Sequence, residues 1–184
     1  MNPKRILIAC EFSGRVRDAF IAKGHNAVSC DLVPSDAPGP HIQGCALGAL
    51  RSEEWDMVIA FPPCTRLCSS GARWWREKKT EQEEAIRFAR AFIEFDGVVA
   101  VENPIGILST SVHPPSQIIQ PWMFGHGETK ATCLWLRGLP KLEPTNIVEG
   151  RESRVHRLPP SSTRSKLRST TYLGVAAAMA EQWG

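Results

Sequence analysis

Trp55-Asp56-Met57-Val58-Ile59-Ala60-Phe61-Pro62-Pro63-Cys64 is the stretch that decides how this chain is read. Trp55–Ala60 is short and almost wholly apolar, as a strand buried on both faces must be. Pro62-Pro63 breaks it sharply, because each proline fixes φ and removes a backbone donor. A cysteine on so stiff a corner is held in place before any ligand arrives. A free thiol, with a pKa of about 8.5, is only a few per cent ionised near neutrality. As a nucleophile, Cys64 therefore needs a depressed pKa, and a helix N-terminus or a nearby arginine such as Arg66 or Arg73 is a candidate to supply it. The competing reading is a buried core cysteine. Cys68, four residues on, reads as a small packing residue.

Working outward, the same alternation of short apolar runs and helical spacing recurs. Arg5–Ala9 is a strand, followed by the turn Glu11-Phe12-Ser13-Gly14. Arg15–Lys23 has helical spacing with Val16, Ala19, Phe20 and Ala22 available for burial, and Gly24 can end it. Asn26–Cys30 is a second strand, closed by Asp31. The proline- and glycine-rich stretch 34–44 is a loop, and Leu47–Glu54 is a short helix. Beyond Cys64, a loop with Gly71 and the Trp74-Trp75 pair leads to a helix over about Lys79–Phe95. Its acids come early and Arg87 and Arg90 late, as the helix dipole favours. Gly97–Val101 is a strand ended by Glu102-Asn103-Pro104. Thr132–Leu136 is a further strand and Val175–Trp183 a closing helix. Strands alternating with helices predict an α/β protein with a mostly parallel sheet covered by helices on both faces.

Composition narrows the class. With 42% hydrophobic and 22% charged residues, the chain is neither disordered nor a coiled coil. Its 184 residues suit one domain, 1–184. No apolar run approaches the roughly 20 residues that span a bilayer. Met-Asn-Pro-Lys-Arg leads directly into a strand without a signal-peptide core, so a cytoplasmic protein is expected. Six cysteines show no Cys-x-x-Cys spacing and no paired histidines, which predicts no metal site. The net charge of +3 is mild, but segment 146–170 is loop-rich and basic, with Arg151, Arg154, Arg157, Arg164, Lys166 and Arg168. Such a strip suits a phosphate backbone; a solvated tail is the alternative.

In open α/β sheets ligands bind beyond the carboxyl ends of the strands. Four predicted ends carry chemistry here: Phe12-Ser13-Gly14, Asp31, Pro62-Pro63-Cys64 and Glu102-Asn103-Pro104. Gly14 permits a tight turn into a helix whose N-terminus can face a ligand, or makes a plain connection. Asp31 stands where acids bind ribose hydroxyls, or caps a turn. Glu102 is a carboxylate at the edge of the core, where burial raises its pKa and suits it to share a proton. Trp74-Trp75 could stack on nucleobases or cover the following helix. Trp122 and Phe124, beside His126, are candidates for a pocket wall.

On these residues the sequence resembles the cytosine-5 DNA methyltransferase family, and in particular its compact phage- and prophage-type members. Phe12-Ser13-Gly14 looks like the family's first motif, Asp31 its second-strand acid, Pro62-Pro63-Cys64 its catalytic loop and Glu102-Asn103 its Glu-Asn dipeptide. The stretch from Gln120 to Glu128, Lys130–Leu136 and the tail Arg154-Val155-His156-Arg157 look like the compact subgroup, a match over nearly the whole chain. The match to larger members covers mainly residues 5–104. The resemblance implies a Rossmann-like methyltransferase fold without a separate target-recognition domain, in a bacterial or phage-infected cell. It implies S-adenosylmethionine held near Phe12, Ser13, Gly14, Asp31 and Pro62, and a DNA or pyrimidine nucleotide substrate held near Pro63, Asn103 and Arg154. Cys64 would add to C6 of the pyrimidine and Glu102 would hydrogen-bond at N3.

The chain also departs from the family's pattern. Val16 replaces a second glycine, Gln43-Gly44-Cys45 stands where an adenine-contacting acid is usual, and Pro104 follows Asn103. The arginine motif that supports catalysis has only Lys130 or Arg154 as counterparts. These departures leave two other readings open: a relative using the same cysteine addition on another substrate or one-carbon donor, and a catalytically silent nucleic-acid-binding protein.

Overall fold

The computed structural model describes residues 2–70 and 77–184; Gly71, Arg73 and the Trp74-Trp75 pair fall outside the described residues. Seven strands make one sheet: β1 (Arg5–Ala9), β2 (Asn26–Asp31), β3 (His41–Gln43), β4 (Met57–Ala60), β5 (Val99–Pro104), β6 (Gln117–Ile119) and β7 (Thr132–Arg137). Their order is β3-β2-β1-β4-β5-β7-β6. β1 to β5 pair in parallel, whereas β7 runs antiparallel to both β5 and β6. This is the doubly wound order with one reversed strand inserted near the end.

Strand parity assigns the two faces. Ile6, Ile8, Met57 and Ile59 pack on one side with Phe20 of helix α1 (Arg15–Ala22) and with Met179 and Trp183 of helix α7 (Leu173–Trp183). Leu7, Ala9, Val58 and Ala60 pack on the other with Leu50 of α2 (Ala46–Ser52) and with Ala89 and Phe92 of α3 (Lys79–Ile93). Helices therefore cover both faces, as the alternation of elements predicts. None of the described helices is long and apolar enough to cross a membrane.

The differences from the sequence reading have physical causes. β3 lies inside the expected loop 34–44, because a three-residue edge strand that is only partly buried shows no apolar signature. Short helices α4 (Leu108–Ser111), α5 (Arg154–Arg157) and α6 (Arg164–Ser169) form where composition reads as loop. On α1, Ala22 is exposed, and the position buried in its stead is Arg17.

Arg17 is fully buried. Its guanidinium donates to the Ser29 and Ser35 hydroxyls, each at 3.1 Å, and to the carbonyls of Ala37 (3.3 Å) and Pro38 (2.9 Å). Its Nε pairs with Asp18 at 2.7 Å. These bonds fasten the loop after β2 over the first βα turn, where the Asp36 amide also donates to the Phe12 carbonyl at 2.8 Å. Gly14 has φ +75°, and a Cβ there would lie 2.5 Å from Arg17 Nη2. Glycine at 14 is thus required both by backbone conformation and by the arginine above it.

Candidate active site

β4 delivers the chain to Phe61, whose amide donates to the Ala9 carbonyl at 2.9 Å, and then to buried Pro62 and exposed Pro63. Cys64 opens a single helical turn: the amides of Leu67 and Cys68 both reach its carbonyl at 3.0 Å. This turn is stitched to the segment after β5 by bonds from Ile107 to the Leu67 carbonyl and from Ser69 to the Ile105 carbonyl. Gly106 lies against the turn, and a Cβ there would run into the Leu67 carbonyl. Asn103 is buried and donates from Nδ2 to the Pro62 carbonyl at 2.8 Å. In this arrangement it braces the Pro-Pro-Cys corner from the neighbouring strand.

Glu102, on the end of β5, shares a sheet face with Leu134 and Thr132 of β7, through the register Glu102↔Leu134 and Pro104↔Thr132. A narrow recess, with room of only about 20 Å³, lies on this face beneath the start of α7. Phe61, Glu102, Lys130, Thr132, Tyr172 and Met179 are among its walls. Cys64 stands three residues beyond Phe61 and is partly exposed.

Burial raises the Glu102 carboxyl above its ordinary range, while Lys130 and a hydrogen bond from Thr132 hold it down. The Cys64 thiol is also pushed up, by burial first and then by Glu102 and Cys68; Lys130 and Arg168 act in the opposite direction. The depression expected from Arg66 is not seen, because Arg66 is engaged by Glu81 at 2.6 Å. Cys64, Glu102 and Lys130 therefore occupy one electrostatic neighbourhood, in which protonation of Glu102 removes a charge that opposes the thiolate.

Arg154 is engaged by two acids. It pairs with Glu128 at 2.7 Å and with Glu152 at 3.5 Å. Glu128, itself buried, accepts from the Tyr172 hydroxyl at 2.8 Å, so it ties a pocket wall to the basic segment. His126 accepts from the Gly174 amide at 3.0 Å, which makes it a structural brace at the start of α7. Phe124 is buried in the core, while Trp122 lies under the Arg151 guanidinium, 4.0 Å from its ring centre.

The first turn and the end of β2 offer acceptors to a ligand. Glu11 is buried; its Oε1 accepts from the Ser13 hydroxyl at 2.6 Å and the Val16 amide at 3.3 Å. Its Oε2 has no hydrogen-bond partner among the described residues. Asp31 accepts from the Val33 amide through Oδ1 at 3.2 Å and is partly exposed. Two carboxylates at adjacent strand ends, each with an oxygen uncommitted, suit a ligand that brings hydroxyl and ammonium donors, as S-adenosylmethionine does. Val16 is fully buried in the core, so its side chain does not enter that space.

Sequence reasoning missed Glu11, Thr132, Tyr172 and the burial of Arg17. Lys130 and Thr132 carried a usable signal: two polar residues at alternate positions leading into an apolar strand. Tyr172 carried none, since only the tertiary fold brings the start of α7 to the sheet edge.

Comparison with solved structures gives the fold a relative. The Entamoeba histolytica methyltransferase EhMeth superposes with a TM-score of 0.51 at 11% sequence identity, over 88% of this chain and 61% of that one. The chain thus spans about three-fifths of that protein's length. At this identity the likeness is one of fold alone. No family model and no curated protein matches the sequence.

Proposed function

We propose that the chain is an S-adenosylmethionine-dependent methyltransferase acting at C5 of cytosine through Cys64. One observation carries the reading. A thiol braced on a proline corner and a desolvated carboxyl on the next strand stand together at the carboxyl edge of a methyltransferase-type sheet. When bound, S-adenosylmethionine supplies an electrophilic methyl group.

The protein's own groups do the rest. The Cys64 thiolate forms an S–C6 bond, and the C5–C6 π pair shifts onto C5, with charge spread toward N3. Glu102, whose pKa burial raises, donates a hydrogen bond at N3 in its protonated form and stabilises that charge. Lys130, beside both groups, favours the thiolate and limits the rise in the Glu102 pKa. It fills the place of the family's catalytic arginine better than Arg154, which two acids engage. Once C5 has gained its substituent it loses its proton, the ring π bond re-forms and the S–C6 bond breaks. A cytosine within a duplex would first have to leave the stack.

The test is transfer of tritium from methyl-labelled S-adenosylmethionine to DNA. We expect the native protein to label DNA and Cys64→Ser to fall to background; equal labelling by the two would overturn the role of the thiol. A second reading, the same cysteine addition with another one-carbon donor, gains from the Gly14 surface being filled by Arg17 rather than left open. Calorimetric titration with S-adenosylmethionine separates the two.

A further inference from the structure

Helix α6 bridges the two halves of the site. Lys166 pairs with Asp36 and lies 5.3 Å from the centre of the Phe12 ring, so the helix rests against the first turn. At its other end the Arg168 carbonyl accepts from Lys130 Nζ at 3.0 Å, and Thr171 and Tyr172, just beyond, line the recess.

Arg164 and Arg168 are one turn apart and therefore share a face of α6. Both are partly buried, while Ser165, Lys166 and Leu167 between them are exposed. Neither guanidinium forms an ion pair among the described residues, and Arg164 Nε is buried without any hydrogen-bond partner. Three other cations of this region are engaged, Arg154 by Glu128 and Glu152, Arg15 by the Thr171 carbonyl, and Arg151 by two carbonyls and Trp122, whereas Arg157 is exposed. Two like charges at this spacing repel each other, and among the described residues no acid offsets them.

We propose that Arg164 and Arg168 form a phosphate clamp for the backbone of a polynucleotide whose target base is presented to Cys64 and Glu102 at the sheet edge. The spacing of side chains one helical turn apart is of the order of that between consecutive phosphates of a strand. Guanidinium forks match phosphate oxygens in two-point contacts. The clamp would make the substrate a strand rather than a free nucleotide, and it rests on the reading of Cys64 and Glu102 as the chemical site.

Fluorescence anisotropy with a labelled 15-nucleotide single strand, and with the same sequence as a duplex, tests the clamp over a range of salt. For the single strand, the double variant Arg164→Ala/Arg168→Ala should bind at least tenfold more weakly, with the salt slope reduced by about 1.4, or about 0.7 for each lost phosphate contact. Arg164→Gln/Arg168→Gln, which keeps polar side chains of useful length, should do the same. Arg87→Ala, which removes an exposed cation on α3, should stay within twofold of the native protein. Binding by either double variant within twofold of native, at an unchanged slope, would overturn the clamp. A stronger loss for the duplex than for the single strand would mark duplex DNA as the substrate form; the reverse would mark a single strand. The binding measurement needs no chemistry: a clamp result as expected with no methyl transfer sinks the enzymatic reading alone, whereas native-like binding by the variants with transfer intact sinks the clamp alone.

Discussion

At the residue scale the proposed chemistry depends on how Cys64 gives up its proton. Burial and the Glu102 charge raise its pKa, and Lys130 and Arg168 lower it. An anion nearby disfavours the thiolate, so Glu102→Gln should shift the Cys64 titration to lower pH. A cation nearby favours it, so Lys130→Met should shift the titration to higher pH. Alkylation of Cys64 by iodoacetamide across pH, followed by peptide mass spectrometry, reads both shifts. The native midpoint should lie above that of an ordinary thiol, and identical profiles in all three proteins would show that the groups do not share a site. Cys64 and Glu102 stand out in the sequence as candidates because prolines and strand ends mark them locally. Lys130 and Arg154 are both candidates in the sequence, and the pairing of Arg154 with Glu128 is visible only in the fold.

At the element scale, the first βα turn shows where local reading stops. Gly14 and the helix after it could be read from spacing, but Arg17 could not, since an arginine in an amphipathic helix is ordinarily assigned to solvent. Here five hydrogen bonds and ion-pair contacts compensate its burial and lock the loop after β2 to Phe12. Arg17→Met would leave the Ser29 hydroxyl and the loop carbonyls short of a donor. It should destabilise the fold by on the order of 1–3 kcal/mol, seen as a lower urea midpoint with an unchanged m-value. Amide exchange should speed up at residues 32–40 rather than across the sheet, and uniform acceleration would mean that Arg17 supports the core as a whole. β3 and α6 escaped the sequence reading for a related reason: each is short, largely solvent-facing and held by contacts from distant segments.

At the scale of the whole molecule, the sheet was legible because strand burial on both faces leaves continuous apolar runs in β1, β4 and β5. The alternation Ile6, Ile8 against Leu7, Ala9 sends successive side chains to opposite helical layers. Strand order and the reversal of β7 were not legible, because register is settled by pairing partners far apart in sequence. That order is what gathers Phe12, Asp31, Cys64 and Glu102 along one edge, with Lys130 and Tyr172 brought in from the last third of the chain.

The central claim, that Cys64 bonds to a pyrimidine ring at this edge, is tested most directly by trapping. An oligonucleotide carrying 5-fluorocytosine blocks the final loss of a proton from C5, so the adduct persists. Incubated with the protein and S-adenosylmethionine, it should give a covalent complex with the oligonucleotide joined at Cys64 by peptide mass spectrometry and lost in Cys64→Ser. Cofactor binding without any adduct, or an adduct that persists in Cys64→Ser, would contradict it.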